Sequence, residues 1–65
     1  MIKIPVPMLV AATLREVEDN CKADDLVYEC HIEKEYDKDY NKRSYIHLFL
    51  SSEDEVLYRL RYGIS

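Results

Sequence analysis

Thirteen acids against nine bases give this 65-residue chain a formal charge of −4, which disfavours nonspecific nucleic-acid binding, a task for a net cationic face. One glycine and two prolines beside 48% hydrophobic and 34% charged residues exclude a disordered or low-complexity chain. Residues 1–65 are expected to form a single domain with a small core, since a chain of this size buries only ~60% of its unfolded surface.

Met1 to Ile4 suit a short edge strand that Pro5 ends, because proline has no N–H to give to a ladder. Lys3 followed by the apolar run Ile4–Ala12 has a faint likeness to a signal peptide, but Pro5 and Pro7 break it and it reads as structure. Pro7 suits the first turn of a helix, where its missing donor costs nothing. From Met8 onward, Val10, Leu14, Val17 and Cys21 recur at helical spacing with Arg15, Glu16, Glu18 and Asp19 opposite. That pattern predicts an amphipathic helix ending near Asn20 to Lys22. Met8, Leu9 and Val10 make its first turn apolar nearly all round, so this end is predicted to be the more deeply buried.

The stretch Leu26–Leu50 organises the rest. Leu26, Tyr28, Cys30, Ile32 and Tyr36 alternate with Val27, Glu29, His31, Glu33 and Glu35, the signature of a strand buried on one face. Asp37 to Lys42 is polar and turn-forming. Without a glycine it predicts a loop longer than a two-residue primed turn. In the second strand, Arg43–Leu50, the inner residues Ile46, Leu48 and Leu50 must meet those of the first. That favours a register such as Ile32 opposite Ile46 and Cys30 opposite Leu48, without fixing it. Tyr45, His47 and Phe49 then lie on the outer face beside Glu33, His31 and Glu29. A face with these aromatics is expected to be covered by another element of the chain, or else by a partner.

Ser51-Ser52-Glu53-Asp54-Glu55 opens a second helix, with Ser52 as cap and Glu55 closing a capping box. Three early acids with Arg59 and Arg61 near the end complement the helix dipole, and Gly63 stands where a left-handed cap is needed. Val56, Leu57, Leu60 and Ile64 are predicted as its core stripe, with Tyr58 and Tyr62 on a flank. The order is (β)αββα: an α+β domain whose antiparallel hairpin sheet packs against two helices.

Cys21, Cys30, His31 and His47 are the only soft ligands, and none stands at the short paired spacing of a structural zinc site. His31 and His47, flanked by Glu29 and Glu33, could hold a divalent metal weakly or respond to acid near ~pH 6–7. The expectation is a coincidence of exposed side chains, with no metal and no cofactor. Two cysteines are too few for a disulfide framework, and no apolar run approaches the ~18 residues of a membrane span. Reduced, inert thiols and a cytoplasmic location without membrane contact follow. Neither cysteine shares a strand face with a histidine, and a single glycine cannot build a phosphate loop, so no enzyme is expected.

Six tyrosines suggest an interface: Tyr28 and Tyr36 lie on the core face, where at least one is expected to be structural, and Tyr40, Tyr45, Tyr58 and Tyr62 are candidates for exposure. These readings converge on a small acidic protein-binding module. In size and style it resembles the accessory proteins of phages and mobile elements that act as inhibitors or adaptors and block a host enzyme or defence complex; no motif carries that likeness. The expected partner is a host or cognate protein, met by Tyr45, His47 and Phe49 with Glu29, Glu33 and Glu35. Those carboxylates could compete for a partner's basic groove. The alternatives are a structural homodimer, and nucleic-acid binding by Lys38, Lys42 and Arg43 at the hairpin tip with Tyr40 stacking.

Overall fold

Period-two patterning confines the hairpin to registers that put every inner side chain on one side, and the chain adopts one of them. In the computed structural model, which describes residues 1–6 and 9–63, the elements are β1 (Ile2–Val6), α1 (Val10–Ala23), β2 (Glu29–Tyr36), β3 (Lys42–Phe49) and α2 (Ser52–Tyr62). Ile32 faces Ile46 and Cys30 faces Leu48, as expected. The three strands form one antiparallel sheet in the order β1-β3-β2. This is an α+β fold with β3 at its centre.

Pro5 does not end β1. It lies opposite Tyr45, and the strand runs on to Val6. An edge strand tolerates a proline because its outer side has no ladder to serve. Conversely, residues 26–28 do not join β2.

Ile2, Ile46 and Leu48 from the sheet, Val17 and Cys21 from α1 and Tyr58 from α2 are the buried core. All the sheet residues in it share one parity, so both helices lie on the same face. Each of the large aliphatics contributes about 1.5–3 kcal/mol on burial.

The first turn of α1 is not its buried end: Leu9, its N-cap, is 71% exposed. The core sits under Ile46 and Leu48, and the second half of α1 carries Val17 and Cys21 across it. Thr13 donates its hydroxyl and its N–H to the Leu9 carbonyl at that end. The expectations for Pro7, Met8 and Ile64 lie outside the described residues.

Among the described residues, three occupy the left-handed region: Asp25, Tyr40 and Gly63. Asp25 follows the C-cap Asp24 of α1, where the Leu26 N–H reaches the Cys21 carbonyl and the Asp25 N–H reaches the Lys22 carbonyl. That pair of bonds is a Schellman motif. Tyr40 closes the hairpin. Its N–H donates to the Asp37 carbonyl, and the Asp37 N–H donates to the Asn41 carbonyl. The result is a three-residue loop with a left-handed third position, longer than a primed two-residue turn as the missing glycine predicts. Asp37 Oδ1 accepts from the Asp39 and Asn41 N–H groups, and Oδ2 accepts from Arg43 Nε at 3.1 Å.

α2 spans the expected residues 52–62, but its cap lies one residue earlier than expected. Ser51, not Ser52, is the cap, and its Oγ accepts from the Asp54 N–H at 3.2 Å. Glu55 therefore closes no capping box; it bonds Arg59 and the Met1 amino group instead. Gly63 supplies the left-handed C-cap as expected.

Only one of the three left-handed positions holds glycine. Tyr40→Gly and Asp25→Gly should each raise stability by about 0.5–1 kcal/mol, because both side chains are exposed and the backbone strain is relieved. The readout is a shift in urea midpoint at unchanged m-value. The backbone N–H of Asn41 first, then Arg43, holds the Asp37 carboxyl below its ordinary value. Its contribution to stability is present above the unfolded value of ~3.9 and disappears as pH falls through the lower folded one. Urea midpoints recorded from neutral pH down into that range should fall less steeply for Asp37→Ala than for the unmodified chain.

Candidate functional site

The parity that buries Ile46 and Leu48 sends Tyr45, His47 and Phe49 to the other face of β3. There they meet Glu33, His31 and Glu29 of β2 in direct cross-strand pairs. Glu35 lies on the same side of β2. So the structure brings all six expected contact residues, Glu29, Glu33, Glu35, Tyr45, His47 and Phe49, onto one face. No element of the described chain covers it, since both helices pack on the opposite side.

The aromatics on that face are not bare. Lys3, added by β1, places its Nζ 4.3 Å above the Tyr45 ring and pairs with Glu35. The His31 ring stacks on Phe49 at 5.4 Å and approaches His47 at 5.5 Å. His31 Nε2 lies 3.1 Å from a Glu33 carboxylate oxygen. Each aromatic of the expected interface thus has a neighbour from its own chain. Tyr45 and His47 are half-buried by these contacts.

A second uncovered surface was read from the sequence as core. Val56, Leu57 and Leu60 on α2 are 57%, 60% and 78% exposed. The helix turns its tyrosines inward in their place. Tyr58 is buried and Tyr62 half-buried, with their rings 4.5 Å apart. Asn20 Nδ2 reaches the Tyr58 hydroxyl at 3.5 Å, and the Tyr62 hydroxyl donates to Asp24 Oδ2 at 3.1 Å. Arg61 Nη1 pairs with the other Asp24 oxygen at 3.1 Å. Asp24 thereby ties α2 to the end of α1. Between them lies an open groove of about 540 Å³ lined by Leu26, Leu57, Leu60 and the Asp24–Arg61 pair. Tyr36, assigned to the core by its parity, is exposed beyond the end of the covered face.

The thiols are poor nucleophiles. Burial pushes Cys21 up to about 11, helped by the neighbouring Cys30, Asp24 and Glu18. Cys30 is also raised, by burial first and then by Glu18, whose carboxylate accepts from its Sγ at 3.8 Å. Both are free, and Cys30 lies on the face opposite the histidines. At the hairpin tip, Arg43 is engaged by Asp37, leaving Lys38 and Lys42 beside an exposed Tyr40.

No family model, curated protein or solved structure matches this chain. Among the described residues, no helix is long and apolar enough to cross a membrane.

With thiolates so disfavoured, a disulfide reagent at mildly alkaline pH should label Cys30 slowly and Cys21 only on unfolding. Fast stoichiometric labelling of Cys21 without denaturant would contradict its burial.

Proposed function

We propose that this chain is a non-catalytic protein-binding module of the inhibitor or adaptor kind, with α2 as its principal docking surface. One observation carries this: a helix that is firmly seated through Tyr58 and Tyr62 presents Val56, Leu57 and Leu60 to solvent. Three large aliphatics at helical spacing on one side form the anchor pattern of helix-in-groove recognition. Contiguous exposed apolar surface on so small a domain marks an interaction site. Asp24 and Arg61 rim the apolar centre with opposite charges, as interface rims do. The outer sheet face, with Glu29, Glu33 and Glu35 around its aromatics, is a second and more polar contact surface. Its own-chain pairings leave less apolar area free there than on α2.

The test compares two double variants by quantitative capture of a partner from host lysate. Leu57→Gln with Leu60→Gln should abolish capture while leaving the thermal midpoint within about 2–4 °C, because exposed positions carry little stability. Tyr45→Ala with Phe49→Ala should weaken capture less. Retention of the partner by the first pair would sink the reading. A mass twice the monomer's that collapses in the α2 variant would make a second copy of the chain the occupant.

A further inference from the structure

We propose that His31, His47 and Glu33 form a binding site for a first-row divalent transition metal, with zinc as the working case. The three donor atoms lie within 4.8 Å of one another. They come from the middle of two paired strands, His47 from the central β3 and His31 and Glu33 from the edge strand β2. His31 and His47 are direct partners across β2 and β3, and Glu33 is two residues from His31 on the same face. Opposed residues in an antiparallel pair hold their Cβ atoms ~4.5–5.5 Å apart, which lets two imidazoles share one ligand.

A separate observation points to what is missing. His47 Nε2 is buried and finds no hydrogen-bond partner among the described residues. A buried imidazole nitrogen left unpaired costs free energy, and a metal on its lone pair would satisfy it. The Phe49 ring stacked on His31 restricts that imidazole, and Glu33 already reaches His31 Nε2 at 3.1 Å. Tetrahedral zinc with bonds of about 2.0–2.2 Å spaces its ligands roughly 3.3 Å apart. Binding would require side-chain rotations that bring the donors from within 4.8 Å of one another to that spacing. Lys3 is the β1 neighbour of His47, and its ammonium is paired with Glu35 and lies over the Tyr45 ring.

Two imidazoles and one carboxylate favour zinc, nickel or copper over magnesium or calcium, which take oxygen donors. Three protein ligands leave coordination positions open toward solvent, so the site is of the open kind. It stands on its own geometry, independent of the docking role of α2.

The experiment is a calorimetric and NMR titration of the reduced protein with zinc chloride. One-to-one binding that perturbs residues 31, 33 and 47 is expected. His31→Asn and Glu33→Gln, both at exposed positions, should each weaken it by about 10-fold or more, and His47→Ala should do the same if it folds by circular dichroism. Magnesium should give no response. A flat titration, an equal response to magnesium, or zinc binding that survives His31→Asn but is lost in Cys30→Ser would overturn the assignment.

Discussion

The structure depends on Ile46 and Leu48 at the centre of the sheet. Both are fully buried, and each is flanked by an apolar partner on either side: Ile4 and Ile32 around Ile46, Ile2 and Cys30 around Leu48. Two ladders therefore hold one strand, and its parity cannot change without exposing the whole core. In a domain whose net stability is a few kcal/mol, losing one such side chain at about 2–5 kcal/mol is comparable to the total. The outer face follows from the same constraint. Tyr45, His47 and Phe49 share a surface because the residues between them are core.

The orientation of α2 records a competition that the aliphatics lost. Rotating the helix to bury Val56, Leu57 and Leu60 would remove more purely apolar area from water, at about 25 cal/mol per Å². It would also break the Tyr62–Asp24 and Asn20–Tyr58 contacts and expose two aromatic bodies. Tyrosine combines a large apolar ring with a polar tip, and this core sits at the seam between two helix ends where such tips find partners. A small core can seat two tyrosines or an aliphatic stripe against α1, but not both. The stripe is therefore left in solvent on the outer side of α2.

Much of the fold was legible because it rests on local rules. Strict alternation gave the inner and outer faces of β2 and β3, and the lone glycine gave the end of α2. The failures have specific causes. Helical periodicity locates a stripe but does not say which of two adjacent stripes faces the core, so Tyr58 and Leu60 were exchanged. An all-apolar first turn was read as burial of α1, whereas burial follows the position of the sheet. Pro5 does not stop the edge strand, because which way its missing donor faces is a tertiary fact. Two serines in a row left the cap of α2 ambiguous by one residue. At the candidate site, parity alone placed Glu29, Glu33, Glu35, Tyr45, His47 and Phe49 on one face. Lys3, the unpaired His47 nitrogen and the convergence of Glu33 on the histidines needed coordinates.

The two uncovered surfaces have a fixed relation. Tyr58 points from α2 toward the sheet, and Leu60 projects from the far side of the same helix. The aliphatic stripe and the outer sheet face are thus the two outer surfaces of a two-layer domain. A single flat surface cannot touch both, because the buried layer of Ile46, Leu48 and Tyr58 lies between them. One surface is aliphatic and the other is acidic with imidazoles, and the difference follows from which residues the core takes.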